Sequence, residues 1–517
     1  MTALPSHEGG PPSFTRNRSP MKRYLLLLLS LLFAVPIPAQ SRREALLEYQ
    51  ARRRQAYTEF RDNYRKACAD FMRKRWEAFR AEAPVPLPER REPDLPVSRQ
   101  PDAPAAPTQD RIPYDKITDL PEPPAAAGVP AGPDKPAAGK DAPAVPDAPK
   151  GGDAAAPAVD ASKACRFTFY GTGCSVSLEA KHRFRLASLQ ESSVANAWER
   201  VAGGSYDAAA AECAGLKKAM QLNDWGYYDL VRTLGDAFCG AKSGESVVLQ
   251  SFLMAEAGYK VRLARGDGRL YLLLAIDGQV YGRPYFRIDG QVFYVLDDVP
   301  RASSYSICNF SIPGERPLSL AMPVPPLFAQ KPAAPAVRNG AGIETSVTVN
   351  RNLMDFYTNY PPCYWSVYAS TVFTPAVSGQ LYPALRAALA GKGEYEAVNL
   401  LLHYLHKAFA YKTDDAQFGA ERTFFAEEMF HYPYSDCEDR SILFARLVKD
   451  LLQLKVVLLY YPSHIATAVC FNDRVKGDYI QLGAKRYIIC DPTYIGSDAG
   501  EAMPDIKNTP AEVVRID

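Results

Sequence analysis

Residues 432–460 read YPYSDCEDRSILFARLVKDLLQLKVVLLY. A cysteine stands among three acids where an apolar-periodic run begins, and a run of strand-forming residues follows a short polar break. The pattern predicts an amphipathic helix, a turn and a buried strand. Ser435, followed three residues later by Glu438, fits a capping box, which makes Ser435 the N-cap and Cys437 the second helical residue.

The same order occurs 195 residues earlier, where SVVLQSFLMAEAGYKVRLAR at 246–265 matches SILFARLVKDLLQLKVVLLY at 441–460 in its apolar pattern. Downstream, QVYGRPYFRIDGQVFYVLD parallels RVKGDYIQLGAKRYIICD. Gly282 pairs with Gly477, and Asp297 pairs with Asp491 after a slip of one residue. Helix, strand, hairpin, strand and terminal Asp recur in one order, which predicts two copies of one α+β fold.

The rest of the chain frames these copies. Its 517 residues exceed one ordinary domain, 47% hydrophobic content suffices for real cores, and a net charge of +2 argues against a global nucleic-acid role. Residues 1–40 read as a leader. Met21-Lys-Arg, an apolar run over Leu25–Val35 and small residues near Ala39 fit a signal peptide, with Met21 as the true start. The expectation is export, to periplasm, cell surface or medium, with no integral membrane segment after signal removal. Residues 41–82 lack Pro and Gly and place Tyr57, Phe60, Tyr64, Ala67, Cys68, Phe71 and Phe79 near one helical face, among 12 basic and 7 acidic residues. This predicts a basic amphipathic helix that packs on the protein itself or self-associates. Residues 83–163, rich in Pro, Ala, Asp and Gly, read as a disordered linker. The first copy is then 164–325, a Pro-rich linker 326–338, and the second copy 339–517. Ten cysteines without a CxxC pair make neither a disulfide scaffold nor a zinc site.

Candidate chemistry lies in the second copy. Backbone N–H groups at a helix start lack intrahelical partners, favour a thiolate and can hold an oxyanion. Asp436, Glu438 and Asp439 oppose the thiolate, so Cys437 needs an imidazolium partner. Of six histidines, His464 opens the strand after the helix, 27 residues on, and Asp491 ends a later strand, 27 residues further. That order suits a nucleophile, a base and an orienting carboxylate. Taken singly, each residue also has a bland reading, as buried cysteine, edge histidine and turn-forming Asp. Tyr432, Tyr434, Phe424, Phe425 and Phe430 precede the cysteine. They read as core or as a peptide groove, with Tyr434 also a candidate oxyanion donor.

The segments YSDCEDRSILFARLV, PSHIATAV and CDPTY, which carry Cys437, His464 and Asp491, resemble the transglutaminase-like superfamily, whose fold is related to the papain-like cysteine peptidases. The likeness runs from about Asn350 to the C-terminus and is greatest to exported transglutaminase-like proteins of Bacteroidetes-type bacteria. It implies two papain/transglutaminase-like domains, the second bearing a Cys-His-Asp triad. It also implies thiolate attack on a carboxamide and an acyl-enzyme released by water (peptidase or amidase) or by an amine (acyltransferase). The resemblance implies a peptide or protein substrate, with cell-wall peptides, host proteins and dietary proteins all open, and chemistry that requires no cofactor or metal. Animal transglutaminases use calcium, but no EF-hand-like loop stands here. The gap from His to Asp is longer than the family's hairpin. By the 195-residue offset, the first copy has Lys242 for Cys437 and Arg269 for His464 and keeps only Asp297. Its Cys239 and Ser243 lack a histidine partner, and His182 reads as a surface residue. The alternative is a catalytically silent peptide- or polymer-binding scaffold.

Overall fold

A computed structural model describes residues 39–88, 111–118, 164–297, 304–462 and 464–516. The leader and the expected signal peptide fall on 1–38, outside the described residues, as does most of the expected linker. Chain contacts divide into Met1–Tyr64 and a larger unit, Arg65–Asp517.

Within the larger unit the repeat is written into the sheets. In the first sheet the strands Val261–Gly266, Arg269–Asp277, Tyr285–Ile288, Gln291–Val295 and Tyr305–Cys308 lie with the third at one side, followed by the fourth, second, first and fifth. The second sheet has the same order, built from Lys455–Tyr461, His464–Cys470, Tyr479–Leu482, Lys485–Cys490 and Ala511–Arg515. Registers agree as well. Gly266 faces Arg269 as Tyr461 faces His464, and Leu273 faces Val295 as Ala468 faces Ile489. Tyr285 faces Tyr294 as Tyr479 faces Ile488. A one-residue register slip would turn every side chain to the other face, so agreement across several strand pairs is a strict test of the repeat.

The copies also share what precedes the sheet. Each opens with a β-hairpin, Cys165–Phe169 with Thr172–Val176 and Ala336–Gly340 with Ile343–Val347. Both hairpins turn on two residues of positive φ, Tyr170-Gly171 and Ala341-Gly342, the geometry that matches strand twist in a two-residue loop. A helical pair follows each hairpin, Asp207–Ala219 with Asp224–Cys239 and Pro375–Leu389 with Glu394–Ala408. Next comes the helix that packs on the sheet, Gly244–Glu256 or Cys437–Leu447. The second copy differs in what lies between the last two helices. Four residues separate them in the first copy, whereas residues 409–436 form an insert in the second.

The segment before the copies departs from the sequence reading. The helix runs Ala39–Met72, and Glu77–Phe79 form a strand. Its buried residues are Arg65, Cys68, Ala69 and Met72, while Tyr57, Phe60, Ala67 and Phe71 of the expected face are exposed. The seat is set by Arg65, whose guanidinium binds both oxygens of Glu256 at 2.6 and 2.9 Å and Asp207 at 2.8 Å. A buried bidentate pair with a second acid fixes a helix rotation that aromatic spacing alone misplaces. The linker reading is also corrected in part. Tyr114–Thr118 pair with Ala511–Arg515, because the aromatic and β-branched residues of YDKIT supply strand character inside a Pro/Ala tract. The Pro-rich linker 326–338 is packed in part, with Pro326 and Phe328 buried and its last residues in the strand Ala336–Gly340. No described helix is long and apolar enough to cross a membrane.

Candidate active site

The helix carrying the candidate thiol begins at Cys437 itself. Asp436, in extended backbone at φ −109°, is the N-cap, so Cys437 is the first helical residue and not the second. Asp439 rather than Glu438 completes the cap, its Oδ2 accepting from the Asp436 N–H at 3.3 Å. Ser435 instead lies on the short strand Tyr434–Ser435, paired with Ala410–Tyr411. One turn into the helix, the Ser441 hydroxyl donates to the Ile465 carbonyl at 3.0 Å. This bond ties the start of the helix to the start of the strand that His464 opens.

His464 and Asp491 meet. Nε2 of His464 lies 2.7 Å from Oδ2 of Asp491, and both residues are buried. The other Asp491 oxygen accepts from the N–H groups of Thr493 at 2.9 Å and Tyr494 at 3.1 Å. Burial pushes this carboxyl up, but His464 and the two N–H donors outweigh it and hold it below the usual carboxylate range. An ionised Asp491 keeps the proton on Nε2, which leaves Nδ1 as the ring nitrogen able to accept one. The long gap between the two residues is filled by one added antiparallel strand, Tyr479–Leu482, that pairs with Lys485–Cys490 and leaves Asp491 at the end of its own strand.

A further support was missed from sequence. His406, on the helix Glu394–Ala408, donates from Nε2 to the Asp491 carbonyl at 3.1 Å and accepts at Nδ1 from the Gly496 N–H at 3.3 Å. Burial pushes its pKa down to about 4, so the ring is neutral and braces the Asp491 backbone from behind. Helical spacing marks His406 as inward-facing, but nothing in the sequence joins it to a residue 85 positions away.

Cys437 is 1% exposed, and its thiol donates to Oε2 of Glu438 at 3.5 Å. The aromatic residues before it divide. Phe424, Phe425 and Phe430 are core, Phe430 resting against Phe373 and Phe409. Tyr432 stacks on Phe424 at 4.9 Å beneath the Arg422 guanidinium, and Tyr434 is exposed with the Lys412 ammonium over its ring. Phe430 therefore lines no groove. A concave surface lies elsewhere, in a cavity of ≈ 340 Å³ walled by Trp225, Tyr281 and Arg283 of the first copy and by Trp365, Glu421 and Arg422 of the second. Trp365 joins this cavity to the second sheet through its ring contact with Tyr460 at 4.8 Å.

In the first copy Lys242 precedes the helix and Arg269 opens the strand, at the positions of Cys437 and His464. His182 is half-buried, with Nδ1 accepting from the Glu179 N–H. None of the ten cysteines forms a disulfide. No protein-family model, curated protein or solved structure matches the chain.

Proposed function

We propose that the chain is an exported cysteine-dependent acyl-transfer enzyme of transglutaminase-like type, with two papain/transglutaminase-like domains of which the second does the chemistry. The His464–Asp491 pair at 2.7 Å, at the sheet end where the Cys437 helix begins, carries this reading. In the proposed cycle Nδ1 of His464 takes the Cys437 proton and the sulfur attacks a carboxamide carbon. N–H groups of the first helical turn face the developing oxyanion. The C–N bond breaks, the amine leaves with the proton from His464, and water or a second amine cleaves the thioester. Asp491 holds the ring and balances the imidazolium. The aromatic cavity between the copies is the seat for a peptide or protein acyl donor.

A second reading, a binding scaffold without turnover, draws on a specific observation. The Cys437 thiol is buried and donates to the Glu438 carboxyl, an acid where the enzyme reading needs a base. Timed labelling with iodoacetamide at pH 7, mapped by peptide mass, separates the two. Most other cysteines are poor competitors, since burial pushes Cys68, Cys213, Cys239, Cys308 and Cys363 up to about 12. The enzyme reading expects Cys437 to label at least about tenfold faster than half-buried Cys470, and His464→Ala to remove that advantage. Equal rates at the two positions, unchanged by His464→Ala, would sink it. Incorporation of a labelled primary amine then tells transfer from hydrolysis.

A further inference from the structure

The first copy keeps a cleft of its own beside the start of the helix Gly244–Glu256. A cavity of ≈ 550 Å³ lies there, walled by Arg183, Arg185, Arg200, Phe238, Cys239 and Glu245. Only four residues link this helix to Asp224–Cys239, at the place where the second copy carries the insert 409–436.

Local structure sets the three arginines around this space. The turn Ala180–His182 ends at Arg183, which leaves it in extended backbone at φ −58° and ψ 141°. Neighbouring side chains of an extended stretch point to opposite sides. Phe184 is accordingly buried, while Arg183 and Arg185 are exposed. The Arg183 guanidinium lies over the Phe238 ring at 5.6 Å. Arg200 comes from the helix Glu191–Ala202, and its Nη2 donates to the carbonyls of Arg183 at 2.9 Å and Lys181 at 3.4 Å. Ring stacking and main-chain bonds orient these cations without neutralising them. Among the described residues, none of the three pairs with a carboxylate. Glu245, the acid of this wall, accepts from the Leu186 N–H at 2.8 Å. A concave wall with excess charge of one sign concentrates counter-ions.

We propose that Arg183, Arg185 and Arg200 form a binding site for a small oligoanion bearing phosphate or sulfate esters, in the cleft of the first copy. A planar carboxylate offers its two oxygens to one guanidinium, whereas a tetrahedral ester offers three acceptor oxygens that guanidiniums from two segments can share. An exposed guanidinium holds a lone anionic group weakly, so an occupant with several esters is favoured over a simple ion. The volume admits a ligand of that size.

Isothermal titration calorimetry on the full chain tests the site, with inositol hexakisphosphate and sucrose octasulfate as probes and inorganic phosphate and sulfate as single-ion arms. The readout is binding in a copy that lacks the Cys437 chemistry, so its outcome leaves that reading untouched. At low salt, one probe molecule per chain is expected to bind at least about tenfold tighter than its single ion, and the tighter probe names the ester. Arg185→Gln should weaken binding by about fivefold or more at unchanged Tm, because this exposed side chain holds nothing in the fold together. Replacing Arg183, Arg185 and Arg200 together by Gln should abolish binding. Arg386→Gln, at an exposed arginine of the second copy, should change it by less than about twofold. No heat from either probe at about 1 mM would overturn the site, as would affinity no better than that of the single ions or equal losses from Arg185→Gln and Arg386→Gln.

Discussion

The two copies hold an Asp at the same place in the same ladder, and its surroundings drive it in opposite directions. Asp491 receives an imidazole and two N–H groups and titrates below the usual carboxylate range. Asp297 lies at the end of the equivalent strand, and burial raises its carboxyl despite Arg232 and Arg269 nearby. The sheet therefore fixes where this residue stands, whereas its protonation is set by what surrounds it: His464 and two N–H donors outweigh burial at Asp491, and burial outweighs Arg232 and Arg269 at Asp297. A scaffold can be duplicated with its register intact while the chemistry is kept or lost through a few side chains at strand and helix ends.

The contrast can be broken first at the Asp itself. Asp491→Asn should slow Cys437 labelling by roughly two orders of magnitude, since a neutral amide no longer holds the proton on Nε2. Asp297→Asn, at the matching position, should leave that rate unchanged. Stopped-time alkylation of the two variants decides the matter, and equal effects would mean that both act only through folding.

The opening hairpins give the next test. Phe169 and Gly340 hold the same position, the last residue before the turn. Phe169 is buried against Phe328, whereas a Cβ on Gly340 would stand 2.7 Å from the Tyr404 carbonyl oxygen and 2.9 Å from the Ala408 nitrogen. Phe169→Ala should lower stability by about 3 kcal/mol through a cavity. Gly340→Ala should lower it by about 1–2 kcal/mol through overpacking. Denaturant unfolding at fixed pH measures both, and the order of the two losses is the prediction.

A third test sharpens the role of His406. Its folded pKa of about 4 lies below the ordinary value of 6.5, so the unfolded chain binds the extra proton first. Stability should therefore fall as pH drops from about 6.5 to about 4, by at most about 3 kcal/mol. His406→Gln should flatten that part of the pH–stability profile. The smallest effect is expected from restoring the first copy. Lys242→Cys with Arg269→His should create no fast-labelling thiol, because the first copy's helix starts only at Gly244 and nothing like the 409–436 insert flanks it.

Much of this contrast is legible in the chain itself. The shared offset, the slip of one residue before Asp297 and Asp491 and the order of strands follow from apolar alternation, which the buried sheets enforce. The opening hairpins do not follow so easily. CRFTFYGTGCSV and AVRNGAGIETSV share little beyond a turn glycine and a closing Ser-Val, because one packs aromatic rings and the other packs a helix backbone. Long-range polar contacts are equally hidden. Arg65 with Glu256, and His406 with Asp491, join residues whose separation no periodicity encodes.

One arm of the chain finishes both sheets. Glu77–Phe79 pair with Tyr305–Cys308 and Tyr114–Thr118 pair with Ala511–Arg515, which are corresponding border strands of the two copies. Left bare, each border would offer its backbone to any passing strand. A single protease cut between 119 and 163 would thus yield two polypeptides that stay clasped by hydrogen bonds. Deleting everything before 119 would instead open two matching seams at once and invite filament growth.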